Sequence, residues 1–143
     1  SPSRGLGDVY KRQFKEGPLF VVVRLMKNDR DTHVSELKEA IGAFIDARNW
    51  SQYHSPKNLA MSIAIEAAEM MEHFQWTTVE EARTAMEDPE VRAEVREELA
   101  DVMIYCLSFA RHTGIDVSGA VLDKLEKNEH RFPVDRIKGF GVE

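Results

Sequence analysis

Two acidic pairs carry the spacing that could do chemistry: Glu66-Ala67-Ala68-Glu69 and Glu98-Leu99-Ala100-Asp101. On an α-helix, positions three apart differ by roughly 60° around the axis, so each pair projects from one face. The context is not that of a solvated face. Glu66 and Glu69 sit among Ile63, Ala64, Ile65, Ala67, Ala68 and Met70, and Glu98 and Asp101 border the most apolar stretch of the chain. Four carboxylates converging from neighbouring helices would repel one another and raise their own pKa values. A hard divalent cation removes that conflict, and Mg²⁺ takes all-oxygen octahedral coordination with some waters retained.

A single Glu-x-x-Glu is common on exposed helices, so the weight lies in two such pairs flanked by core residues. The competing metal reading is a di-iron carboxylate bundle, which wants Glu-x-x-His on two helices. Here Glu69 is followed three residues on by Glu72, and Asp101 by Ile104. His73, four residues after Glu69, could reach the same face, although a solvated or structural histidine is the commoner case. A hard-metal hydrolase, with Mg²⁺ or Mn²⁺ as its substitute, fits better than redox iron.

The elements that must position these residues are helices. From residue 31 onward the apolar period is helical, with a start or stop signal at nearly every boundary. Thr32 can cap a first helix to about Asn49, with Leu37, Ile41, Phe44 and Ile45 on one stripe. Ser55-Pro56 pairs a cap with proline at the first helical position and opens a helix expected to reach Trp76. Thr78 starts a short turn or helix to Ala85, Asp88-Pro89 opens a long helix to about His112, and Gly114 ends it. Asp116 caps a last helix that must stop before Phe132-Pro133. The expected class is all-α, of four-helix-bundle type with short connections. Val102 to Ala110 is apolar almost all round, so that helix needs cover on several sides. A chain of this size has little material to cover it alone, and a dimer or dimer of dimers is expected.

Residues 1–25 read differently: a Gly/Ser/Pro-rich start, a basic stretch, then Val21-Val22-Val23 ahead of Met26. They are expected to be an N-terminal extension, non-native or poorly ordered; the competing reading is a strand over Leu19–Leu25. The domain is then 26–138, with 139–143 a flexible tail.

Composition excludes several classes. With 143 residues the chain is one domain's worth, 43% apolar and 31% charged, with 19 basic and 25 acidic side chains for a net of −6. A negative surface repels phosphate backbones, which argues against nucleic acid as a partner. The one cysteine, Cys106, allows neither an intrachain disulfide framework nor a Cys-based zinc finger. No apolar run approaches the ~18–20 residues of a membrane span. A reducing, cytoplasmic compartment is expected.

Further polar groups stand at useful spacings. Lys124, Asn128 and Arg131 fall at i, i+4 and i+7, along one stripe of the last helix, where cations also suit the helix C-terminus. Tyr105 lies seven residues after Glu98, on the same face. The two tryptophans, Trp50 and Trp76, flank the second helix at its two ends. They could form the flat apolar walls of a ligand pocket, shared between subunits because that helix separates them, or anchor core edges.

Taken together, these residues resemble the all-α nucleoside triphosphate pyrophosphohydrolases, the MazG-like superfamily. The stretch from Arg48 to Leu59 with Pro56 and Asn58, then Phe74-Gln75-Trp76, Glu97 to Tyr105, Lys124 to Asn128 and Arg131-Phe132-Pro133 is similar to the dCTP pyrophosphatase branch. The likeness covers about residues 34–133. It implies Mg²⁺-dependent hydrolysis of a nucleoside triphosphate to monophosphate and pyrophosphate by a helical homodimer or homotetramer, in clearing unwanted nucleotides. Glu66, Glu69, Glu98 and Asp101 are then metal ligands and catalytic carboxylates. The resemblance also implies base contact for Trp50 and Trp76, with His54 and Asn58 as polar partners, and phosphate contact for Lys124, Asn128, Arg131 and Tyr105. Ile41 stands where that branch often carries histidine, which argues against strict cytosine selectivity. Two alternatives remain: a related enzyme preferring dUTP or dATP, and a non-catalytic helical interaction module.

Overall fold

The computed structural model of the chain describes residues 28–137. The expected extension 1–25, the alternative strand at Leu19–Leu25 and the tail 139–143 lie outside the described residues. Every regular element among the described residues is helical: α1 (Val34–Ala47), a 3₁₀ turn (Trp50–Tyr53), α2 (Pro56–Glu72), α3 (Val79–Ala85), α4 (Pro89–Thr113), α5 (Val117–Arg131) and α6 (Val134–Ile137). The chain divides into two compact units between Thr113 and Gly114.

Local chemistry sets most of these boundaries. The Ser55 hydroxyl accepts from the Asn58 N–H at 3.1 Å, and Pro56 takes the first helical position. Thr78 and Glu81 form a reciprocal capping box, at 3.1 Å and 2.9 Å. The Asp88 carboxylate accepts from the Glu90 N–H at 2.8 Å, and Asp116 from Gly119 at 3.1 Å. Gly114, at φ 73°, sits in the left-handed region that lets the chain leave α4.

Three boundaries differ from expectation. The cap of α1 is His33 rather than Thr32, because the Glu36 carboxylate reaches back to the His33 N–H at 2.7 Å. That helix stops at Ala47, since Asn49 takes a left-handed conformation at φ 53°. The end of α2 is Glu72, four residues short of Trp76. There the chain tightens: Phe74 and Gln75 both donate to the Met71 carbonyl at 2.9 Å, and Thr77 donates to Phe74 at 3.0 Å.

In the first unit α4 is the central helix, packed against both α2 and α1. The core is small: Ala40 and Ile45 from α1, Leu59 from α2, and Val95, Leu107 and Ala110 from α4. Leu59 is 1% exposed and seats the start of α2. The Arg111 side chain lies directly over Gly42, where a Cβ would collide with its guanidinium. Within the apolar run on α4, and among the described residues, Leu107 and Ala110 are buried while Met103 and Ile104 are exposed. The second unit comprises α5 and the short α6, separated by Phe132-Pro133. No helix among the described residues is long and apolar enough to cross a membrane.

Candidate metal centre

Packing of α2 on α4 brings the acidic pairs together. One carboxylate oxygen from each of Glu66, Glu69 and Glu98 lies within 4.8 Å of the others. Glu66 and Glu98 are half-buried and Glu69 is exposed. Glu66 Oε2 and Glu98 Oε2 are buried, with no hydrogen-bond donor among the described residues. A buried carboxylate oxygen without a donor costs free energy that a cation recovers.

The electrostatics agree. The Glu66 carboxyl is pushed above its usual 4.5, first by burial and then by the charges of Glu69, Asp101 and Glu98. Glu98 is likewise raised from 4.5 by burial, Glu69 and Asp101, while His73 opposes the shift. Two oxygens on one Mg²⁺, each at about 2.1 Å, stand at most ~4.2 Å apart. The observed grouping is therefore within a small rotamer adjustment of a hard-cation site. The all-oxygen donor set and the unpartnered buried oxygens fit such an ion.

Asp101 is not among the three converging carboxylates. It borders them on α4, close enough for its charge to raise both Glu66 and Glu98. His73, at the end of α2, also stands outside the trio. Its Nδ1 is 3.8 Å from Glu94 Oε2. Glu94 drew no attention in the sequence, although its place four residues before Glu98 could have marked it.

The other candidate residues are more scattered. Trp50 packs edge-to-face on Phe44, with centroids 5.8 Å apart, and Arg48 lies 3.7 Å above the Phe44 ring. Trp76 is 88% exposed beyond the end of α2. The two tryptophans are not brought together: α2, with 17 residues, lies between them in the chain and spans about 25 Å. Asn58 uses its side-chain amide on the connection before α2, donating to the Tyr53 carbonyl at 3.0 Å. His54 ends the 3₁₀ turn, its N–H donating to Ser51 at 3.1 Å. Tyr105 is half-buried one turn beyond Asp101. Lys124, Asn128 and Arg131 belong to α5 in the second unit. Within it Arg131 lies 5.1 Å from the Phe132 ring centroid, and the Asn128 carbonyl accepts from Phe132 at 2.8 Å.

The sequence pattern of the MazG-like family matches residues 61–141, which include all four acidic positions and the last helix. The chain belongs to the MazG-like family. Among MazG-like relatives, dCTP pyrophosphatase 1 from Bos taurus is 34% identical over 106 residues, which is 74% of this chain and 63% of that protein. The Homo sapiens dCTP pyrophosphatase 1 is 35% identical over 100 residues, 70% of this chain and 59% of the relative. The chain thus spans less than two thirds of the length of these relatives. The crystal structure of a pyrophosphatase from Archaeoglobus fulgidus superposes with a TM-score of 0.67 at 42% identity, over 76% of this chain and 99% of that one.

Proposed function

We propose that this MazG-like protein is a Mg²⁺-dependent nucleoside triphosphate pyrophosphohydrolase with dCTP or a modified dCTP as its preferred substrate. The observation that carries the reading is the convergence of Glu66, Glu69 and Glu98, two of them with buried oxygens lacking a donor. The names of the curated relatives support the substrate, and the archaeal pyrophosphatase supports the reaction class. Ile41 keeps dUTP or dATP preference as the second reading.

In this reading Glu66, Glu69 and Glu98 hold the cation, with Asp101 bordering them. When bound, the ion supplies charge neutralisation for the triphosphate and the leaving pyrophosphate. A carboxylate of the set not engaged by the ion accepts the proton of the water that attacks the α-phosphorus. The bond from that phosphorus to the bridging oxygen breaks, and pyrophosphate leaves. Trp50, Trp76, His54 and Asn58 are assigned to the base, and Lys124, Asn128, Arg131 and Tyr105 to the phosphates. The exposed Met61, Ile65, Leu99, Met103 and Ile104 on the two acidic helices support a homodimer or homotetramer as the working form. Its compartment is proposed to be the cytoplasm.

The test is a panel of standard and 5-modified deoxynucleoside triphosphates assayed with Mg²⁺, the released phosphates being identified. Monophosphate plus pyrophosphate, lost with EDTA and with Glu98→Ala, supports the reading, and the fastest base names the substrate. No turnover by folded, metal-loaded protein moves the interaction-module reading to first place.

A further inference from the structure

We infer that His73 is a selectivity-determining residue that holds Glu94 away from the carboxylate trio and so keeps the centre suited to Mg²⁺ rather than Ca²⁺. The inference rests on the metal reading above and concerns a pair outside the assigned ligands.

His73 stands four residues after Glu69 on the α2 side, and Glu94 four residues before Glu98 on α4. Residues one helical turn apart have Cβ atoms ~5–6 Å from each other, so Glu94 is within a side chain's reach of Glu98. Instead its Oε2 lies 3.8 Å from His73 Nδ1. The histidine side chain is only 22% exposed, whereas Glu94 is 66% exposed and otherwise has room to swing. His73 therefore lies at the edge of the site, four residues after Glu69 and 3.8 Å from Glu94.

The count of carboxylates decides which ion such a site prefers. Mg²⁺ is held by few protein oxygens in a tight octahedron and keeps several waters, which leaves positions for substrate phosphates. Ca²⁺ takes six to eight oxygens in looser geometry, and its affinity rises with ligand charge. A further glutamate swinging in from Glu94 would favour the larger ion and fill the positions a triphosphate needs. Pairing with His73 withholds it.

Calorimetric titration of the metal-stripped full chain with Mg²⁺ and separately with Ca²⁺ tests this without reference to turnover. His73→Ala is expected to raise the ratio of Ca²⁺ to Mg²⁺ affinity by about two- to fivefold, the range a partly solvated pair can supply. His73→Gln, which keeps the bulk and removes the imidazole, should move the ratio the same way. His73→Ala with Glu94→Gln should return it to the wild-type value, and Glu94→Gln alone should leave it unchanged. A ratio unaltered in both His73 variants, or one still raised in the double variant, overturns the inference. So does a shift produced by Glu94→Gln alone, because Glu94 would then already serve the ion. If the wild type binds neither ion, the metal reading itself falls and this inference with it.

Discussion

Arg111 Nη2 lies 3.1 Å from Asp46 Oδ2, joining α4 to α1 across 65 positions of sequence, and the arginine reaches it by crossing the face of Gly42. Both side chains are substantially solvated, 40% and 56% exposed, so the pair contributes only about 0.2–1 kcal/mol. Gly42→Ala sets two effects against each other. Alanine in a helix interior gains about 1 kcal/mol over glycine, while its methyl group displaces the guanidinium. Net stability is therefore expected to change by less than about 1 kcal/mol. The diagnostic is a denaturant double-mutant cycle with Asp46→Asn and Arg111→Met. Coupling between the two charges should be measurable with glycine at 42 and absent with alanine.

Acid should act on the metal-free centre with a defined sign. Glu66 and Glu98 both titrate above 4.5 in the folded chain, so the folded state binds protons more tightly than the unfolded one. Their contribution is most favourable below 4.5 and is lost as pH rises through the raised values. In EDTA, the melting temperature of wild type relative to a Glu66→Gln/Glu98→Gln variant should fall across that window as pH increases. A gap that stays constant with pH would contradict the burial of these carboxylates.

A divalent cation needs the charged carboxylates, so its effect runs the other way. The rise in melting temperature on adding Mg²⁺ should be near zero at pH 4.5 and grow as the two groups ionise. Glu98→Gln should abolish that rise and lower turnover by more than about 100-fold, the upper range for loss of an outer partner of a metal ligand. A variant that still gains stability from Mg²⁺ would remove Glu98 from the ligand set.

Leu59 is 1% exposed at the first turn of α2. Leu59→Ala should cost about 2–5 kcal/mol, from lost burial and the cavity left behind. Chemical denaturation should show this as a lower midpoint with little change in slope. A loss below about 1 kcal/mol would mean that the start of α2 is not anchored there.

Much of the architecture could be read along the chain. Ser55-Pro56, Thr78 with Glu81, Asp88-Pro89 and Asp116 each satisfy backbone groups within three residues of themselves, so their effect needs no tertiary partner. The pairing of acidic residues on one helical face was legible for the same reason, because helical geometry carries it. The end of α2 was not. Nothing in Phe74-Gln75-Trp76 forbids helix, and the tightened turn there displaces Trp76 from the element it was expected to close.

What the sequence alone determined was local: which segments are helical, where they are capped, and that Glu66 with Glu69 and Glu98 with Asp101 share faces. The tertiary structure decided which of those carboxylates meet. It placed Glu98 with Glu66 and Glu69 and left Asp101 at the border. It also turned Glu94 toward His73 and Arg111 toward Asp46. The physical reason is that spacing fixes a direction around one helix axis, whereas distance between residues on different helices depends on how those helices pack, at whichever residues their buried side chains interlock.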